Sequence, residues 1–513
     1  MPANVEAEAI APSGHAAHTR SADSQQGLRG EVLRPIDITF LGAGSMFCPT
    51  LCRDVLAIPG HRGGTFRLVD VDEQRLGLMH RLVERLIEQA GQQDRWSVRS
   101  STDRRAVLTG STYCVCCVEV SGVQCVEFDN NIPLKYGVDQ CIGDTIGPGG
   151  LFKGLRTIPV FLDILRDMAE LCPGALMLNY TNPMSMMCLA AGRAVPEVPV
   201  VGLCHSVQGT SHLLADYAAV PYEQMRWECA GINHLAWFTK LEHQGNDLYT
   251  QVLYDKFRRE LDAGVAEAEA GRAVYDDMNI KWGEEWTVDQ PYEQTDLIRK
   301  DMCVRFGAFV TESSGHLSEY LPYYRKSDEG RKLLRRAYHG GSRFYATNWP
   351  TWRQDADARR QRLVEGEENE NLTRSWEYAS WIIEAIEKDA PFRIHGNVMN
   401  RSTRPGQADA GEAGKLITNL PGDGCVEVSC LVDGNGIQPT RHGALPAQMA
   451  HVCASNMACF DLAATAAIEK SKQAAAWALM HDPLTAAVCT PRQIEDMTAE
   501  MFAAEAEFLP GYA

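Results

Sequence analysis

The spacing of apolar positions changes several times along the chain, and each change predicts an element. Ile36-Asp37-Ile38-Thr39-Phe40-Leu41 is a strand-like run that leads directly into Gly42-Ala43-Gly44-Ser45, after which a helix should follow. Phe66-Arg67-Leu68-Val69-Asp70 predicts a second strand ending in an acid, and Glu73 to Gln89 carries apolar residues at helical spacing. Strand-like Thr112 to Val118 and Leu176 to Leu178 flank a helical stretch from Thr157 to Leu171. This βαβα order predicts an α/β fold with a doubly wound, Rossmann-type parallel sheet. Beyond about residue 200 the pattern is mixed. Helical patches at Thr210 to Ala219, Glu370 to Lys388 and Ala447 to Ala475 alternate with short strands such as Cys425 to Val432, which predicts a larger α+β second domain. Residues 1–34, rich in Ala, Ser, Gln, Gly and His without periodicity, have the composition of a disordered leader. The expected division is therefore a leader at 1–34, a nucleotide-binding domain at 35–203 and a catalytic and oligomerisation domain at 204–513, with no internal repeat.

Composition narrows the partners. The 513 residues hold 49 Lys and Arg against 67 Asp and Glu, a net charge of −18 that disfavours nucleic acid and anionic lipid. A small neutral ligand suits that balance better. No stretch approaches the roughly 20 apolar residues of a membrane helix, and the first residues lack the basic-then-apolar layout of a secretory signal, so the cytoplasm is expected. Many of the 17 cysteines lie in apolar runs such as Tyr113-Cys114-Val115-Cys116-Cys117-Val118, where a thiol acts as a small hydrophobe, and they are expected to be reduced.

Glycines after the first strand of such a sheet allow a tight turn and let backbone amides approach a pyrophosphate. Two of the three fingerprint glycines are present, Gly42 and Gly44, followed by Ser45. Taken alone the motif is also that of any sharp strand-to-helix turn. Asp70 strengthens it, because an acid at the tip of the second strand can accept both ribose hydroxyls of NAD and would repel the extra phosphate of NADP. Asp72 competes for that role, but Asp70 ends the apolar run whereas Asp72 begins the turn.

Four polar islands interrupt apolar surroundings: residues 143–150 (GDTIGPGG), 179–183 (NYTNP), 202–206 (GLCHS) and 231–234 (GINH). Loops at the carboxyl ends of parallel strands converge on one crevice, so these islands could line a single site beside a nicotinamide. Cys and His suit a first-row divalent ion, although a lone Cys-His pair is more often structural, and no CxxC or HxxxH spacing supports a closed zinc site.

In this order, FLGAGS, LVDVD, IGDTIGPGGLFKGLRTIP, LNYTNPMS, VGLCHSVQGT, CAGINHLAWF, FVTESSGHLSEY and CVEVSCLVDGNGIQP resemble glycoside hydrolase family four, and within it most the bacterial α-galactosidases of the melibiase type. The resemblance runs from about Ile36 to Leu509. It implies a lactate/malate dehydrogenase-like arrangement of domains, a homodimer or homotetramer, and two cofactors, NAD and Mn2+ or another divalent metal. It implies that Cys204 and His234 hold the metal, that Asn182 touches the sugar near the nicotinamide, and that Asp144, His205 and His316 contact substrate. Relatives acting on 6-phosphosugars carry an Asp after the metal-binding Cys; His205 stands there in this chain, which argues for unphosphorylated substrates. Asn182 precedes a proline and could simply cap a turn, and Asp144 could brace the glycine loop that follows it.

The implied reaction is hydrolysis of an α-glycoside without two flanking carboxylates, the exception that the NAD-dependent members of this family make to ordinary glycosidases. NAD oxidises C3, which acidifies the C2 proton. A base abstracts it, the C1 oxygen leaves by elimination, water adds, and the hydride returns to C3, so there is no net oxidation. His205, beside the metal-binding Cys and titrating near neutrality, is the expected leaving-group acid. The base is open among Glu312, His316 and Tyr320, with Tyr320 usable only as a phenolate. An α-galacturonide or another α-hexoside is an alternative substrate. From other classes, a hydroxyacid dehydrogenase would need an Arg clamp for a carboxylate and no metal, and a non-catalytic NAD- or sugar-sensing module would turn over nothing.

Overall fold

The computed structural model of the chain describes residues 27–270, 296–334, 340–401 and 414–512. The described strands are β1 (Ile36–Leu41), β2 (Gly64–Val69), β3 (Trp96–Ser101), β4 (Tyr113–Cys116), β5 (Leu176–Asn179), β6 (Val200–Gly202), β7 (Met225–Ile232), β8 (Leu235–His243), β9 (Asn246–Asp247), β10 (Phe309–Val310), β11 (Phe392–Met399), β12 (Cys425–Asp433) and β13 (Gly436–Pro439). They form one sheet in the order β10-β8-β7-β12-β11-β6-β5-β4-β1-β2-β3, with β13 paired to β12 and β9 to β8. Every pairing from β3 across to β6 is parallel, and the order 3-2-1-4-5-6 is that of a dinucleotide-binding sheet. From β6 outward through β11, β12, β7 and β8 to β10 every pairing is antiparallel. The two expected parts are thus joined through a continuous sheet.

The parallel half is apolar because helices cover both its faces: β4 and β5 are buried at every position, and β1 at all but one. Helix Glu73–Gln89 starts where its cap dictates, with the Asp72 side chain accepting from the Arg75 N–H at 3.0 Å. Other boundaries differ from expectation. The helix expected from Thr157 begins ten residues earlier and runs Gly147–Leu171, so the Gly-Pro-Gly-Gly island is its first turn and not a loop. Pro148 sits where a helix has no use for an N–H. Gly149 and Gly150 are required by close approach, since a Cβ at Gly149 would lie 2.3 Å from the Gly143 carbonyl oxygen and one at Gly150 2.5 Å from the Thr145 carbonyl carbon. The helix expected from Glu370 begins at Tyr378 and runs Tyr378–Lys388. Ala447 to Ala475 is two helices, Ala447–Glu469 and Lys472–His481, separated at Lys470, which takes φ 57°.

Residues 27–34, expected as the end of a featureless leader, are instead fastened to helix Tyr378–Lys388. The Leu28 N–H donates to Glu384 at 2.8 Å, Lys388 donates to the Leu28 carbonyl at 3.1 Å, and Arg34 pairs with Glu387 at 2.8 Å. The rest of the expected leader, 1–26, lies outside the described residues. Among the described residues no helix is long and apolar enough to cross a membrane.

Candidate active site

The first half of the site is a cleft made of backbone. As the chain leaves β1, the Gly42 and Ala43 N–H groups both donate to the Val69 carbonyl at 2.9 Å, which bends the loop over the end of β2. Gly42 takes φ 80°, and a Cβ there would lie 2.6 Å from the Cys117 carbonyl oxygen, so a side chain is excluded twice over. Helix Phe47–Leu56 follows; its N-cap Met46 makes no side-chain capping bond, the Cys48 N–H turns back to the Ser45 carbonyl at 3.4 Å and Pro49 has no N–H, so it is the start of the helix and its dipole that face the cleft. Asp70 lies just past the tip of β2 and accepts the Gly44 N–H at 2.7 Å and the Asp72 N–H at 3.0 Å. Asp72 is committed to capping its own helix. The geometry therefore turns Asp70, and not Asp72, toward the glycine loop. Ser45 accepts the Phe47 N–H at 3.2 Å. At the outer edge Arg75 pairs with Asp357 of helix Phe344–Glu365 at 2.9 Å, so a helix from the second half of the chain borders this cleft.

The second half is made of side chains delivered by separate loops. Cys204 and His205 follow β6, His234 occupies the two-residue turn between β7 and β8, and Glu312 follows β10. His234 at φ 61° and Glu312 at φ 76° both hold left-handed backbone conformations that non-glycine residues rarely adopt, and such residues cluster at functional sites. His234 Nε2 stands 3.4 Å from the Cys204 sulfur and 3.4 Å from a Glu312 oxygen, and the three donor atoms all lie within 4.8 Å of one another. A sulfur, a nitrogen and a carboxylate oxygen at that spacing fit a first-row divalent ion. A buried polar atom without a partner adds to the fit: Oε2 of Glu427 on β12, whose charge acts on the Cys204 sulfur. Sequence reasoning missed Glu427, although a single acid in the apolar run CVEVSCLV was a visible signal.

Around this triad the remaining sequence candidates converge. The other nitrogen of His234, Nδ1, is 2.8 Å from His316 Nε2 and 3.4 Å from the Tyr320 hydroxyl. Asn182 donates to Asp144 at 3.2 Å and Thr145 donates to the other Asp144 oxygen at 2.7 Å. Asp144 also lies 3.5 Å from the buried Lys153 amine, which pairs with Glu119 at 2.8 Å. These three border a small cavity that Arg156, Tyr345 and Trp349 also line. His205 Nδ1 is 3.3 Å from Glu377, while its Nε2 has no hydrogen-bond partner among the described residues.

Burial and neighbours set the charges. Burial lowers His234 to about 4, so it is neutral and able to ligate. Burial, with Glu427 and Glu312 adding, pushes the Cys204 thiol far up, so a thiolate there requires a cation. Burial works against ionised Asp144, yet Lys153, with the hydrogen bonds of Thr145 and Asn182, brings it down to about 2. Burial opposes the charge of His205, but the hydrogen bond and field of Glu377 raise it. Tyr320 is pushed well up by burial and by Asp144, Glu312 and Glu319, the opposite of what a phenolate base needs. Its hydroxyl lies on the Nδ1 side of His234, away from Cys204, whereas Glu312 stands on the Nε2 side.

Comparison with known proteins gives a consistent picture. The chain matches the model described as "Family 4 glycosyl hydrolase" over residues 37–220, and that of its C-terminal domain over 229–485. It is 36% identical to an α-galactosidase of Rhizobium meliloti, covering 93% of this chain and 89% of that one. It is 34% identical to an α-galactosidase of Bacillus subtilis, covering 93% and 99%. A solved 6-phospho-α-glucosidase from gut microorganisms, in complex with NAD and Mn2+, superposes with a TM-score of 0.70 at 19% identity, over 94% of this chain and all of that one.

Proposed function

The chain belongs to family 4 of the glycosyl hydrolases, and from that premise we propose that it hydrolyses small, uncharged α-galactosides, with NAD in the Gly42–Gly44 cleft and Mn2+ held by Cys204 and His234. The observation that carries this is the Cys204-His234-Glu312 triad at the end of the parallel strands, beside a glycine loop suited to a dinucleotide. When bound, the two cofactors supply reversible hydride transfer at C3 and Lewis-acid polarisation of the neighbouring oxygens.

What remains for the protein is the proton chemistry. Glu312 holds a carboxylate 3.4 Å from His234 Nε2; with Cys204 and His234 as the two ligands, this carboxylate stands beside the ion and is the group we assign to take the C2 proton. His205 holds one proton toward Glu377 and offers its unpartnered Nε2 to the glycosidic oxygen as it leaves; the neutral imidazole can then take a proton from the incoming water. Asn182 and Asp144, bonded to each other, form a polar edge for sugar hydroxyls. The cations lining the cavity are already matched. Lys153 pairs with Glu119 and Asp144, and Arg156 with Asp129 and Glu505, which favours a galactoside over a galacturonide, a 6-phosphosugar or a hydroxyacid. A cytoplasmic location agrees with thiols that form no disulfide among the described residues, and a homo-oligomer with what is expected of the family.

The test is turnover of p-nitrophenyl α-galactoside in heavy water with NAD, Mn2+ and a thiol reductant. Deuterium is expected at C2 of the released galactose, and Glu312→Gln should lower the rate by about 10²–10⁴-fold while Mn2+ still binds. Galactose released without C2 deuterium would overturn the mechanism, and no release from any α-galactoside would overturn the substrate.

A further inference from the structure

Glu319 has no place in the chemistry above, yet both of its oxygens are fully used. Oε1 accepts the backbone N–H groups of Cys141, Ile142 and Gly143 at 2.7, 2.9 and 3.1 Å. Oε2 lies 2.6 Å from His316 Nδ1. His316 Nε2 in turn lies 2.8 Å from His234 Nδ1, and His234 Nε2 faces Cys204 and Glu312. The geometry is local in origin. Helix Ser314–Leu317 continues into the 3-10 turn Ser318–Tyr320, which puts residues 316 and 319 on one side of the chain, and all members of the row are buried. The backbone that Glu319 grips runs directly into Asp144.

We propose that Glu319 is a positioning residue that, through His316, fixes which nitrogen of His234 carries a proton and so aims the Nε2 lone pair at the divalent ion. This rests on Cys204 and His234 being the metal ligands. An ionised carboxylate can only accept, so His316 Nδ1 bears a hydrogen. Two imidazole nitrogens 2.8 Å apart share one hydrogen between them. An ion on His234 Nε2 needs the lone pair there, so the hydrogen of His234 is on Nδ1 and is donated to His316 Nε2. Thr145, 3.1 Å from that same nitrogen, does not compete as a donor, because its hydroxyl hydrogen goes to Asp144. The row therefore has one polarity: Glu319 accepts from His316, and His316 accepts from His234. Carboxylate-histidine arrangements behind a metal ligand work in this way. Here the same carboxylate also clamps the loop that brings Asp144 to the sugar.

Glu319→Gln tests the polarity with little change of shape. The amide oxygen can keep the three backbone bonds, but the amide nitrogen then donates to His316 Nδ1. That moves the His316 hydrogen to Nε2 and the His234 hydrogen to its own Nε2, where it blocks the ion. Mn2+ binding to metal-stripped, full-length protein with NAD present, measured by calorimetry and by the EPR signal of free Mn2+, should weaken about 10- to 100-fold. NAD affinity and the melting temperature of the metal-free protein should stay as in wild type. His316→Ala should show a comparable loss, and adding Glu319→Gln to it should cost nothing more, because the carboxylate then has nothing to act through. Wild-type Mn2+ affinity in either single variant would overturn the proposal, as would losses that multiply in the double variant. If Glu319→Gln does not fold, His316→Ala alone decides. A wild-type protein that binds no Mn2+ would remove the metal assignment itself, an outcome distinct from an unaffected variant.

Discussion

The cofactor cleft and the metal corner lie at the same end of one sheet but are built of different material. The cleft is mainly backbone: glycine turns, a helix start, and one acid, nearly all from residues 41–47 and 70. The corner is mainly side chains, contributed by residues 144, 182, 204, 205, 234, 312 and 316 from loops far apart in the chain, two of them in left-handed conformations. A backbone site tolerates altered side chains but not added atoms. A side-chain site fails when a single ligand atom changes. The two regions should therefore be separable by substitution.

The sharpest separation is expected at the ligands. Cys204→Ser and His234→Ala should each lower activity by about 10³-fold or more and abolish bound Mn2+, since a hard hydroxyl does not replace a thiolate and an absent imidazole leaves the ion only one of its two protein ligands. NAD binding, measured by calorimetry, should survive in both. Loss of NAD affinity along with the metal would break the division between the regions, and full activity after exhaustive chelation would refute the metal site.

The same contrast explains what was legible in the sequence. The cleft could be read from a short contiguous stretch, because strand, glycine turn and acid stand at fixed local spacing, and β1 and helix Glu73–Gln89 fall where the periodicity puts them. The corner could not be derived that way. Nothing local to Cys204 says that His234 and Glu312 will meet it, and these positions were named through resemblance to a family. Glu319, Glu377 and Lys153 act only through partners distant in sequence, such as Cys141, His205 and Glu119, so no spacing rule points to them. Gly149 and Gly150 misled for a related reason: glycine was read as loop chemistry, whereas tertiary close packing requires it inside a helix. The antiparallel half was less legible still. The hairpin of β7 and β8 was not singled out, β12 pairs with β11 and, across a large sequence separation, with β7, and of these four strands only β12 was named.

A smaller effect should distinguish ligands from proton donors within the corner. His205 adjoins Cys204 but turns its ring toward Glu377, so His205→Ala should keep Mn2+ and NAD binding. It should lose about 10²-fold in kcat/KM on an α-linked disaccharide, whose leaving oxygen needs a proton, and far less on p-nitrophenyl α-galactoside, whose leaving group does not. Equal losses on both substrates would assign His205 to holding the sugar and not to protonating the leaving group.

The smallest effect is expected in the cleft, where one side chain contributes beside a glycine turn and a helix start. Asp70 uses one carboxylate oxygen for the Gly44 N–H and the other for the Asp72 N–H, and each oxygen keeps a lone pair with which it could accept a ribose hydroxyl of NAD. Removing it takes away charged hydrogen bonds of roughly 1.5–3 kcal/mol each but leaves the glycine turn and the start of helix Phe47–Leu56 in place to receive the pyrophosphate. Asp70→Ala should therefore weaken NAD binding about 10- to 100-fold, measured by calorimetry on folded protein, with Mn2+ affinity unchanged. Asp72→Ala should cost only the cap of helix Glu73–Gln89, about 1 kcal/mol of stability, with NAD affinity near wild type. The reverse ranking of the two variants in NAD affinity would move the ribose to Asp72. A loss of Mn2+ in Asp70→Ala would show that the glycine loop and the metal corner are one coupled site, because no contact in the structure joins Asp70 to Cys204 or His234.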